Sequence, residues 1–301
     1  MEIIVEIGTD DQRRQIREEL YLFSDIIQEL KLPIKISQIL VASNFDKTVN
    51  ELQNTKNYRS TRGISSSSIT AVAKIVDIDD GFAIVISPLL FTEEHDSQTR
   101  CFVYLHEMAH IINKQKVPSL SDESLTIKTY SHNVYNLFDE YYCDRFSYTL
   151  TEKCFEAPSK YWQNFIKNEI GGFTSIIADP QHYELIKHEI ARFRLYRSDV
   201  ETFLENINPS FDTLALTITH IYAVTDQYPE LSNIDEFQKS PFINNKTSEL
   251  MRYFRAKYEQ NDFDLTDGMQ LILGFMTNFG IRFEDTAQGL YCHVLDISKT
   301  G

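Results

Sequence analysis

The stretch SQTRCFVYLHEMAHIINKQ, residues 97–115, most restricts what this chain can fold into. Phe102, Val103, Leu105, Met108, Ala109, Ile111 and Ile112 surround His106, Glu107 and His110 on nearly every side. A helix that is apolar all round is a buried helix, and Ser97 is placed to cap its start. Three ionisable side chains within five residues are costly to bury unless they have partners. In a helix, positions i and i+4 lie one above the other, so the two imidazoles reach a single ion at about 2.0–2.1 Å. Glu107 is rotated about 100° from His106. It flanks that point without being forced to ligate, where a base acting on a metal-bound water would stand. The bland alternative is a helix whose histidines bond to carbonyls and whose glutamate pairs with a lysine or arginine. With this composition the spacing HExxH arises by chance about 0.02 times per chain, which favours the metal.

The 301 residues suffice for one large domain or two ordinary ones. Only 10 Gly and 8 Pro leave little room for tight turns, so a helix-rich fold is expected. The net charge is -15 and evenly spread. Residues 1–155 carry 16 Lys+Arg against 23 Asp+Glu, net -7, and residues 156–301 carry 13 against 21, net -8. Neither half has the basic footprint for phosphates, which argues against direct nucleic-acid binding and against anionic membrane surfaces. The acidic start MEIIVEIGTDD does not read as a secretory leader, and no apolar stretch reaches the length of a bilayer span. Cys101, Cys143, Cys154 and Cys292 show no CxxC spacing, which suits reduced thiols in a cytoplasmic protein.

Along the chain, EIIVEIG reads as a short strand and DDQRRQIREELYLFSDIIQELK as an amphipathic helix capped by Asp10 or Asp11 and stopped by Pro33. IKISQILVA alternates as a strand, and DKTVNELQN suits a short helix. The runs around Asp80-Gly81 predict a β-hairpin, with Ser65–Ser68 a loose loop before it. Residues 117–133 read as a loop, and VYNLFDEYYCDRFSYTLTEKC as a second helix. Beyond residue 156 the pattern is helical: SKYWQNFIKNEI ending at Gly171-Gly172, then segments near 181–205, 211–226, 246–260 and 266–279. GIRFED and GLYCHVLDI predict a terminal hairpin. The fold class is therefore α+β, with a mixed domain over residues 1–155 and a mostly helical one over 156–301.

An open zinc site needs a third protein ligand. Glu140 and Asp144 share a face of the second helix. Glu140 is the preferred third ligand, with Asp139 the alternative, and Asp144 is placed to accept the outer N–H of a ligating histidine. A solvated acidic face is the competing account. Leu137, Phe138, Tyr141 and Tyr148 are expected to hold this helix against the first. Tyr130, His132 and Tyr135 lie in or near the connection and are candidate oxyanion donors. The strand FAIVIS reads equally well as an exposed edge for an extended peptide or as a core strand. His182 and His188 read as surface residues, Arg192, Arg194 and Arg197 as a solvated face pairing with nearby glutamates, and Tyr161, Trp162 and Phe165 as core. Cys143 reads as a small packing residue.

HEMAH followed by EYYCD resembles the gluzincin metallopeptidases, in which a Glu-x-x-x-Asp motif supplies the third zinc ligand. The chain is most similar to the ImmA/IrrE family over about residues 35–155. There, a strand like GFAIVISPLLF precedes the HExxH helix, and the second helix carries residues like Glu140, Cys143, Asp144 and Phe146. Here 29 residues separate His110 from Glu140, a longer gap than is usual, and no helix-turn-helix module accompanies the motifs. The resemblance implies a zincin-like N-terminal domain, a Zn²⁺ cofactor, Glu107 as catalytic base and a protein or peptide substrate, with intracellular, site-specific cleavage of regulatory proteins. Two other classes compete: a regulatory binding protein that keeps the fold without hydrolysis, and a zinc hydrolase for a non-peptide bond.

Overall fold

The computed structural model describes residues 1–31, 34–59, 61–64, 67–116, 125–232 and 239–297. It is α+β, mostly helical, with a small mixed sheet. The chain divides into two compact units, each built from separate segments. The first takes residues 1–62, 69–116 and 143–169, and the second takes 63–68, 117–142 and 170–301. Residues on both sides of the expected boundary at 155 therefore belong to the first unit.

In the first unit, strands β1 (Glu2–Val5), β2 (Ile36–Val41), β5 (Ala73–Ile78) and β6 (Gly81–Ile86) form one sheet in the order β1-β2-β6-β5. β1, β2 and β6 are parallel, and β5 is antiparallel to β6. FAIVIS thus lies inside the sheet, which overturns the edge reading; the edge beside it is β5. The hairpin turn is Asp79-Asp80, one residue earlier than expected, because Ile78 pairs with Gly81. Gly81 opens β6 at φ 132°, where a Cβ would sit 2.5 Å from the Lys35 carbonyl oxygen. β3 (Thr61–Ile64) and β4 (Ser67–Thr70) pair as a two-stranded sheet, so Ser67 and Ser68 belong to a strand rather than to a loose loop.

The period-two alternation of the strands sends side chains to two faces. Ile3, Val5, Ile39, Val41, Ile75, Ile84 and Ile86 pack on α1 (Asp10–Glu29) and α3 (Ser97–Lys116). Leu40, Ala42, Val76 and Val85 pack on α2 (Phe45–Leu52). Thr9, not Asp10 or Asp11, caps α1, in a reciprocal box with Gln12. Pro33 lies outside the described residues. α3 is capped by Asp96, whose carboxylate accepts from the Thr99 N–H at 3.0 Å, so Ser97 is already the first helical residue. Burial pushes the Asp96 carboxyl up, but hydrogen bonds from Ser159 and Thr99 outweigh it and hold the group below the ordinary range.

α4 (Leu125–Cys154) is 30 residues long and takes in residues 125–133, which the polar run Thr-Tyr-Ser-His-Asn made read as loop. Residues 117–124 lie outside the described residues. α4 gives its end to the first unit and its beginning to the second. Tyr148 meets Phe102 of α3 with ring centroids 4.4 Å apart. Phe138 and Tyr141 meet Phe254, within the second unit. A helix this long carries two apolar faces with different partners.

α5 (Lys160–Ala178) runs straight through Gly171-Gly172, because its buried stripe of Trp162, Ile166, Ile170 and Ile177 continues past them. In the second unit the helical break falls at residues 195–199, between α6 (Pro180–Arg194) and α7 (Val200–Gln227). Pro209 does not interrupt α7: it removes a single backbone donor, while Phe203, Ile207, Phe211 and Leu214 keep one face buried. α8 (Asn245–Gln260) and α9 (Met269–Met276) follow, and β7 (Ile281–Thr286) pairs antiparallel with β8 (Gly289–Val294) as the terminal hairpin.

Candidate metal centre

α3 and α4 supply every residue of the centre. Cys101, Tyr104, Leu105, Met108 and Ile111 bury one side of α3 against the sheet. His106 and His110, half-buried, project from a neighbouring face with ring centroids 4.8 Å apart and planes at 82°. Their Nε2 atoms are 3.2 Å apart. Two nitrogens bound to one tetrahedral ion at about 2.0–2.1 Å are separated by roughly 3.3 Å, so the imidazoles already have ligand spacing.

The outer nitrogens have partners. His106 Nδ1 is 2.9 Å from Asp144 Oδ1, and the Asp144 side chain is 5% exposed. His110 Nδ1 is 3.3 Å from Cys143 Sγ, to which Asn113 Nδ2 also donates at 3.8 Å. Ligand atoms of His106, His110 and Glu140 lie within 4.8 Å of one another. Asp139 comes instead into a second group with His110 and Cys143, at the same limit. The first group offers two imidazole nitrogens and a carboxylate oxygen, a donor set that suits a divalent ion such as zinc and leaves a position open. Glu107 is 9% exposed and makes no hydrogen bond or ion pair among the described residues.

Of the candidate oxyanion donors, the Tyr130 and His132 side chains lie outside the described ones. The Tyr135 hydroxyl accepts from the Leu265 N–H at 3.3 Å, and burial raises its pKa. In the basic cluster Arg192 meets the nearby Glu189 at 3.0 Å, as expected, whereas Arg194 meets the distant Asp296 at 3.0 Å and the Arg197 side chain makes no ion pair or hydrogen bond among the described residues. Tyr161 is 55% exposed, so the core set there is Trp162 with Phe102, Phe165 and Tyr148. Cys143 and Asn113 are the contributors that sequence reasoning missed. The available signals were the position of Cys143 beside Asp144 and that of Asn113 one turn beyond His110.

His188 is exposed as expected, but His182 is fully buried, which corrects its surface reading. The apolar face of α6 carries it inward, and neither ring nitrogen has a hydrogen-bond partner. Burial lowers its pKa. A depressed histidine pKa means the unfolded chain takes up the proton first, so stability is complete above about pH 6.5 and falls as the pH drops below it. His182→Leu is therefore expected to flatten the loss of stability between neutral pH and about pH 5, measured as urea midpoints across that range. An unchanged slope would mean that other groups set the acid limit.

Comparison of the chain with known protein families, with curated proteins and with solved structures finds no match.

Proposed function

We propose that the protein is a zinc-dependent peptidase of gluzincin type, with His106, His110 and Glu140 as ligands and Glu107 as general base. The observation that carries this reading is the convergence of one ligand atom from each of those three residues within 4.8 Å. Zinc, when bound, supplies Lewis acidity and lowers the pKa of the water it holds. With the ion in place, Glu107 would act as the general base, its carboxylate taking a proton from the attacking water and passing it to the leaving amine nitrogen. Asp144 accepts from His106 Nδ1, which keeps Nε2 for the ion. Strand β5 is the sheet edge beside α3, tied to it by the Lys114–Asp77 ion pair at 2.9 Å. Its outer edge can receive an extended peptide by main-chain pairing.

The resemblance to the ImmA/IrrE family supports the same chemistry and an intracellular protein substrate. The cysteines are free, as in a cytoplasmic protein, and among the described residues no helix is long and apolar enough to cross a membrane.

Metal analysis tests the ligand set. The purified chain is expected to hold about one zinc. His106→Ala, His110→Ala and Glu140→Ala should each lose it, while Asp139→Ala should retain it. A Glu140→Ala variant that keeps full zinc occupancy would refute the assignment.

A further inference from the structure

We propose that Cys143 is a positioning residue for His110, accepting its Nδ1–H on sulfur so that Nε2 is presented to the metal. The inference rests on the metal reading above and extends it to a residue that reading does not use. Cys143 Sγ is 3.3 Å from His110 Nδ1, the ring nitrogen not facing His106. An imidazole that binds an ion through Nε2 must carry its proton on Nδ1, so the sulfur is the acceptor. Asn113 Nδ2 approaches the same sulfur at 3.8 Å and holds it from the other side. Cys143 is fully buried, so bulk water does not compete for this contact.

The arrangement mirrors the one at the other histidine. His106 and His110 are one turn apart on α3, and Asp144 and Cys143 are consecutive on α4. Each histidine thus has its own acceptor from the second helix. A packing role alone would leave the thiol facing side chains without polar atoms. Here it faces a ring nitrogen and an amide.

Zinc binding by the full chain, measured by competition with a chromophoric chelator, tests this with Cys143→Ser and Cys143→Val. Serine keeps an acceptor, whereas valine fills the space without one. Cys143→Ser is expected to bind zinc within about threefold of wild type, and Cys143→Val about 10–100-fold more weakly. The metal-free melting temperatures should run the other way, because valine suits a buried apolar site better than serine. A pure packing role predicts valine at least as good as serine for zinc, and that order would overturn the proposal. If Cys143→Val does not fold, Cys143→Ala takes its place against serine. Cobalt substitution provides a second readout: wild type should show no sulfur-to-cobalt charge-transfer band, and such a band would make Cys143 a ligand and overturn the positioning role. If wild type binds neither zinc nor cobalt, the metal reading itself falls and this inference falls with it. If wild type binds zinc and the variants do not separate, only this inference fails.

Discussion

Glu107→Gln is expected to hold zinc as wild type does and to lose peptide hydrolysis by about 10²–10⁴-fold, the usual contribution of a positioned general base. Glutamine keeps the size of glutamate and an acceptor oxygen but cannot take a proton from water. Glu107 sits between the two histidines in sequence, yet the helix turns it away from their shared direction, so its loss should leave the ligands in place. The measurement is paired: zinc content by mass spectrometry of the native protein, and cleavage of a peptide library followed by product identification. A glutamine variant that cleaves as well as wild type sinks the mechanism. A wild type that binds zinc and cleaves no peptide in the library favours the binding-protein alternative.

Trp162→Ala is expected to destabilise the first unit by about 3–5 kcal/mol, the range for removing a large buried aromatic side chain. Trp162 is 1% exposed and packs against Phe102, Tyr148 and Phe165 at ring-centroid distances of 5.7, 5.9 and 5.4 Å. Its backbone N–H donates to Ser159 Oγ at 2.9 Å, and that hydroxyl in turn donates to Asp96, the cap of α3. Phe102 lies one turn before His106, with ring centroids 6.1 Å apart. The cavity is therefore expected to weaken zinc binding as well as stability. Urea unfolding followed by far-ultraviolet circular dichroism measures the first effect, since Trp162 is the sole tryptophan and its fluorescence is lost. Tyr161→Ala is the control and should stay within about 0.5 kcal/mol of wild type, because that side chain is exposed. Equal losses at the two positions would mean that the aromatic cluster does not anchor the helices.

The parts of the fold legible in the sequence are those that local patterns determine. β1, β2, α1, α2, α3 and the two hairpins each follow from periodicity and turn residues. The elements misjudged are those decided by partners distant in the chain. Residues 125–133 of α4 have loop-like composition and are nonetheless helical. Gly171-Gly172 would end an isolated helix, but the buried isoleucines on both sides hold α5 through it. His182 looked superficial because its neighbours in sequence are polar, whereas helical spacing places it with Ile186 and Ile190 on the buried face. For the site, the His106–Glu107–His110 spacing was readable because one helix supplies it. The Cys143 contact was not, because a thiol beside an imidazole arises only once two helices pack.

Because the first unit collects chain from before and after residues 117–142, no continuous stretch of chain consists of it alone. Truncating after residue 155 removes Ser159 and Trp162, and with them the hydroxyl that donates to the α3 cap and the centre of its aromatic cluster. Fragments that stop at residue 155 would thus be incomplete, and a continuous piece that contains the whole first unit has to run to Glu169.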